Sequence, residues 1–244
     1  MGHLDAGGER RSLPRLRVSS RVGDKMRIMS YATADRPQTL GEEIANAISH
    51  GIGLLFAVAS LPILVFFAAR HGAAVNVVAA SVFAATMITL YLVSTLYHAL
   101  PAGRAKLLLN RLDHAAIYVF IAGSYTPFVL GVLHGPWGWS LFGVVWGIAV
   151  IGVAAKMFNR LQHTLWSTGL YVGMGWVALV ALQPMMERMS GAGLALLVAG
   201  GLAYTAGAVV FLFDSRLRYG HFVWHLFVLC GSACHFFAAL WYAV

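Results

Sequence analysis

Charge is scarce in this chain. Only 11% of its 244 residues are Asp, Glu, Lys or Arg, against about 25% in an ordinary soluble domain. That is too little to coat a water-facing surface. With 59% hydrophobic residues and a mean hydropathy of +0.74, the sequence points to lipid as its solvent. Cysteine is nearly absent. Cys230 and Cys234 lie one helical turn apart in the last apolar stretch, which argues against a disulfide framework and for small apolar filler. Asn-x-Ser/Thr sequons and internal repeats are missing. So is any interleaving of aromatic and basic residues, and a nucleic-acid partner is therefore not expected despite the net charge of +8.

What is present is a succession of long apolar runs. Residues 1–38 are polar, with Gly7, Gly8, Pro14, Pro37 and eight basic residues, and are expected to form a disordered basic tail. The first apolar run starts only near Ile44 and is too long for the hydrophobic region of a cleavable signal, so no signal peptide is expected. Seven segments follow, at about 44–69, 76–100, 112–133, 138–157, 164–185, 192–213 and 221–243. Each has roughly the 20 residues needed to cross a bilayer as a helix. Their apolar character is continuous rather than alternating, which excludes a barrel. The fold class is all-α: a seven-transmembrane helix bundle occupying residues 39–244.

Basic residues orient it. The tail and the second, fourth and sixth connections carry 15 of the Lys and Arg residues; the opposite side has only Arg70 and Arg188. This predicts a cytoplasmic N-terminus and an outside C-terminus. Within the segments, Pro127 is expected to kink the third, with Ser124 and Thr126 satisfying the freed backbone groups. Gly143 with Gly147, and Gly169 with Gly173, form GxxxG patterns that predict close helix packing.

Five polar residues share one predicted membrane face. Ser94 and His98 lie four apart at the end of the second segment, Asp113 opens the third, and His221 and His225 lie four apart at the start of the seventh. Each pair falls on one side of its helix. Three imidazoles with a vacant fourth position suit catalytic Zn²⁺, which polarises a carbonyl and acidifies a bound water. His98, His221 and His225 are the candidate ligands. Asp113 is the candidate group that holds or deprotonates the water, and Ser94 a candidate to orient it. Glu43, Asn46 and His50 on the first segment fall at the same level and are candidates to support the ligands by hydrogen bonds. Simpler readings exist for each residue alone. A membrane histidine can be a helix–helix hydrogen bond, the i,i+4 histidines can be interfacial, and Asp113 can pair with Lys106 or Arg111. Glu42 needs no more than a place in an acidic first turn. His3, His71, His134, His163 and His235 are expected to be solvated or to serve packing.

Four stretches resemble the hemolysin III / PAQR family, which also contains adiponectin and progestin receptors: EEIANAISHG, STLYHAL, LDHAAIYVFIAGSYTPF and HFVWH, in that order. The resemblance implies seven helices and a cytoplasm-facing zinc site bound by His98, His221 and His225, with Asp113 and Ser94 near its water. Position 114 is histidine, where many relatives have an aromatic residue. The wider superfamily includes alkaline ceramidases, which implies hydrolysis of lipid amides or esters and a role in membrane lipid homeostasis. The short loops resemble the bacterial branch, hence a bacterial inner-membrane location with membrane lipid as substrate or ligand. Two other functions fit the same residues: a non-enzymatic sensor or scaffold of membrane state clipped by zinc, and a membrane-lytic protein. The latter has little support, because the spans lack a polar stripe outside the site.

Overall fold

The computed structural model describes residues 36–161 and 163–244; the expected tail at 1–38 lies almost wholly outside them. Seven helices are long and apolar enough to cross a membrane: α1 (Leu40–His71), α2 (Ala74–Ala99), α3 (Arg104–Leu133), α4 (Gly135–Met157), α5 (Thr164–Arg188), α6 (Gly191–Leu212) and α7 (Gly220–Tyr242). Among the described residues there is no strand.

Two helices, Leu40–His71 and Arg104–Leu133, clearly outrun their hydrophobic segments, because a cap and a charged stretch extend them. At the start of α1, Thr39 and Glu42 form a reciprocal cap: the Thr39 hydroxyl accepts from the Glu42 N–H, and the Glu42 carboxylate accepts from the Thr39 N–H at 2.9 Å. Residues 104–111, expected to belong to a loop, form the first two turns of α3 instead. Asp113 is therefore not in the first turn; it lies nine residues beyond Arg104.

Each helix divides between lipid and bundle. On α1, Ile44, Ile48, Ile52 and Leu55 are exposed, whereas Asn46, Ser49, His50, Gly53 and Ala57 are buried. Spacings of three and four put each set on its own face. The bundle is built around α3, whose most apolar window is 78% buried, against 50% or less in the other six. Leu64, Phe83, Met87, Tyr91 and Phe120 fill the core between α1, α2 and α3.

Close approaches occur at glycines other than the GxxxG pairs. A methyl at Gly123 would overlap Thr86, and one at Gly152 would overlap the Tyr118 ring. Gly143, Gly147, Gly169 and Gly173 have nothing within 4 Å of such a methyl, so the predicted GxxxG contacts do not form within this chain.

Two helices are interrupted. After Pro127, α3 continues as a π-helical turn, Phe128–Leu133, because the proline ring supplies no N–H and crowds the preceding turn. Ser124 and Thr126 donate to the carbonyls of Ile121 and Ala122 (2.8 and 2.9 Å), not to the carbonyl of Gly123 four residues before the proline. In α5, Trp176–Ala181 tightens to a 3₁₀ helix before the α-helix resumes at Leu182. Pro184 is third in the resumed helix, where a missing N–H costs nothing. The Tyr125 hydroxyl plugs the break, donating to the Gly175 carbonyl (2.6 Å) and accepting from the Ala178 N–H (2.9 Å).

Candidate metal centre

The ends of three helices converge. His98 is the penultimate residue of α2, and His221 and His225 lie in the first two turns of α7. Packing of α1 against both sets the level. The backbone N–H of Tyr219, in a left-handed conformation (φ 58°), donates to the buried Glu42 carboxylate at 2.8 Å, fixing the start of α7 to the start of α1. Glu42 thus does more than the acidic first turn expected of it.

One ligand atom from each of His98, His221 and His225 lies within 4.8 Å of the others. The three could hold a metal ion. The hydrogen bonds on the far side of each ring test that fit. His98 Nδ1 is 2.7 Å from Glu43 Oε2, His221 Nδ1 is 2.7 Å from Asp214 Oδ2, and His225 Nδ1 is 3.0 Å from Ser49 Oγ. An acceptor at Nδ1 fixes the tautomer and turns the Nε2 lone pair inward, which is how metal-binding imidazoles are usually held. His98 Nε2 is buried and has no hydrogen-bond partner. An imidazole nitrogen orphaned in a membrane interior is costly unless something binds it. The donor set therefore fits a metal.

The charges around this shell are arranged in a chain. Lys106 Nζ lies 2.8 Å from the second oxygen of Glu43, so the carboxylate bridges a lysine and a histidine. Lys106 is thereby turned toward Glu43 rather than Asp113. The Asn46 amide nitrogen donates to Gln38 Oε1 at 2.5 Å and lies 3.5 Å from His98 Nδ1, whose proton goes to Glu43. His50 stacks flat on His225, with ring centroids 3.4 Å apart, and its Nδ1 is 2.7 Å from Ser94 Oγ. Glu43, Asn46 and His50 thus all touch a histidine of the cluster. Ser94 is 1% exposed and engages His50 rather than one of the three clustered histidines.

Beside the cluster lies a cavity of about 110 Å³ whose wall includes His50, Ser94, Asp113 and His225. Asp113 and His225 both line this cavity. His114 turns away from it: its Nδ1 is 2.8 Å from the Asn110 carbonyl, and its own carbonyl accepts from the Tyr171 hydroxyl at 2.9 Å. His235 does not join the cluster, and Cys230 and Cys234 are free thiols apart from it.

Sequence reasoning missed Asp214 and Ser49. Asp214 is the one acidic residue of a connection considered only for its arginines. The 3₁₀ turn Asp214–Arg216 and the left-handed Tyr219 fold it back onto His221. Ser49 was legible as part of the buried stripe Asn46, Ser49, Gly53 and Ala57.

A seven-helix membrane bundle with a three-histidine cluster at one end, His98 and His225 buried and His221 partly so, defines the class. The haemolysin-III-related family model matches residues 38–236, and the chain belongs to that family. It is 45% identical to Hemolysin-3 of Bacillus cereus over 207 residues, covering 85% of this chain and 94% of the relative. Against the Hemolysin-3 homolog of Bacillus subtilis (strain 168) it is 44% identical over 206 residues, covering 84% and 96%. The human monocyte to macrophage differentiation factor is 27% identical over 166 residues, covering 66% of this chain and 68% of the relative.

Proposed function

We propose that this integral membrane protein is a zinc-dependent hydrolase of lipid amides or esters, acting in the bacterial inner membrane with its N-terminus in the cytoplasm. The observation that carries this is the cavity beside the histidine cluster, with Asp113 and His225 both on its wall. A purely structural metal clip has no need of an adjoining chamber with a carboxylate in it.

His98, His221 and His225 would hold the ion through Nε2, while Glu43, Asp214 and Ser49 hold the opposite nitrogens. Bound there, Zn²⁺ supplies Lewis acidity toward a carbonyl and lowers the pKa of water toward about 7. Asp113 accepts the proton of the attacking water on a carboxylate oxygen and returns it to the departing amine or alkoxide. Ser94 and His50 hold each other and form the polar side of the wall. The apolar remainder, including Ile117, Phe120 and Val228, receives the acyl chain and excludes bulk water.

The test is release of fatty acid from a panel of N-acyl and O-acyl lipids by purified, zinc-loaded protein. Wild type should release it, and Asp113→Ala should lose about 10²–10⁴-fold in rate while keeping its zinc. Equal release by both proteins would sink the hydrolase.

The non-enzymatic alternative, a membrane-state sensor with structural zinc, draws on one feature. Glu43, Lys106 and Asp214 tie α1, α3 and the α6–α7 connection to the clustered histidines. Metal binding would then act mainly as folding energy. It predicts that Asp113→Asn retains full biological function, whereas the hydrolase predicts its loss.

A further inference from the structure

A second cavity, of about 130 Å³, lies farther along the bundle, between Leu133, Leu141, Met185 and Leu194 toward the opposite ends of α3, α4, α5 and α6. The two cavities share Ser124, Tyr125, Gly175, Trp176, Gly201 and His235 as lining, so they run in series from the histidine cluster. Most polar groups at the junction are already engaged. Ser124 donates to Ile121, Tyr125 plugs the break in α5, and Trp176 Nε1 donates to Thr205 Oγ1 at 3.0 Å.

His235 is different. Its Nε2 lies 3.4 Å from the Leu197 carbonyl, which puts the proton on Nε2 and leaves Nδ1 as an acceptor. Nδ1 is buried and has no partner. The ring is held in place: a methyl at Gly200 would overlap it, and Tyr204 and Phe128 meet it edge-on at 5.3 and 6.4 Å. A purely apolar chain passing this point leaves the acceptor unsatisfied in the membrane interior, at a free-energy cost.

We propose that His235 recognises a hydroxyl group carried within the acyl chain of the bound lipid, accepting its hydrogen bond at Nδ1 where the two cavities meet. The inference rests on the reading above that an acyl chain enters from the histidine cluster. His225 and His235 lie ten residues apart on one helix, about 15 Å along its axis. An extended chain covers about 15 Å in roughly twelve carbon–carbon bonds of standard geometry. The hydroxyl is therefore set well down the chain, not beside the carbonyl. A site built to pair with a hydroxyl discriminates against the analogue that lacks it, because its own polar group is then stranded.

The test compares two probes on the zinc-loaded full chain in nanodiscs: a plain C18 fatty acid, and the same acid hydroxylated about twelve carbons from the carboxyl group. Binding is followed through fluorescence of the lining residues Trp176 and Trp224 and by native mass spectrometry. Wild type should favour the hydroxylated acid by about tenfold. His235→Leu should bring its affinity down to that of the plain acid while zinc content holds. Equal affinities in wild type, or a preference that survives in His235→Leu, overturns the role of His235 and leaves the acyl-chain cavity standing. Failure of both acids to bind zinc-loaded protein overturns the acyl-chain reading and this inference with it.

Discussion

Glu43 and Asp214 do for their histidines what a distant residue cannot: each fixes one imidazole nitrogen so that the other points inward. Removing the acceptor while keeping the shape should loosen the metal without dissolving the fold. Glu43→Gln and Asp214→Asn are each expected to weaken zinc affinity by about 10–100-fold, measured by competition with a chelator of known affinity. Lys106→Met, which removes the lysine that orients Glu43, should fall in the same direction but by less. The histidines of the cluster were legible in the sequence because i,i+4 spacing and shared depth are one-dimensional properties. Asp214 was not, because its approach to His221 depends on a 3₁₀ turn, a left-handed Tyr219 and the close contact of Gly220 with the Asp214 backbone. His235 was expected to be solvated or to serve packing, and a sequence does not disclose which of its nitrogens is left unpaired.

At the scale of the helix, hydropathy located all seven spans, and a cap and a charged stretch explain why α1 and α3 outrun their apolar runs. Interruptions were harder to read. Pro127 was recognised, but its outcome is a π-helical turn whose neighbouring hydroxyls bond elsewhere. The 3₁₀ break in α5 went unnoticed, because the Tyr125 hydroxyl that stabilises it comes from α3, 53 residues away from Ala178. Tyr125→Phe deletes that plug and is expected to lower stability by about 1–2 kcal/mol, read as a reduced thermal midpoint in detergent. The glycines allow a paired measurement. Gly123→Ala drives a methyl into Thr86 and should cost about 1–3 kcal/mol. Gly169→Ala meets open space and should be neutral, or stabilising by up to about 1 kcal/mol through helix propensity. The opposite order would show that the GxxxG pattern, not the Gly123–Thr86 approach, controls packing.

In the molecule as a whole, a three-histidine cluster at one end of a seven-helix bundle adjoins two neighbouring cavities. The charge asymmetry of the connections predicts that the centre faces the cytoplasm, and labelling of single cysteines in intact cells checks it. A cysteine in the Lys106 turn should be shielded from an impermeant thiol reagent, and one near Arg188 should react. All of the proposed chemistry depends on the metal. The most direct measurement is therefore elemental analysis of protein purified in detergent, wild type beside His98→Ala, His134→Ala and a His221→Ala/His225→Ala double variant. One zinc ion per chain is predicted for wild type and His134→Ala, with sharply reduced occupancy in His98→Ala and none in the double variant. Full zinc occupancy in the double variant would contradict the proposed centre.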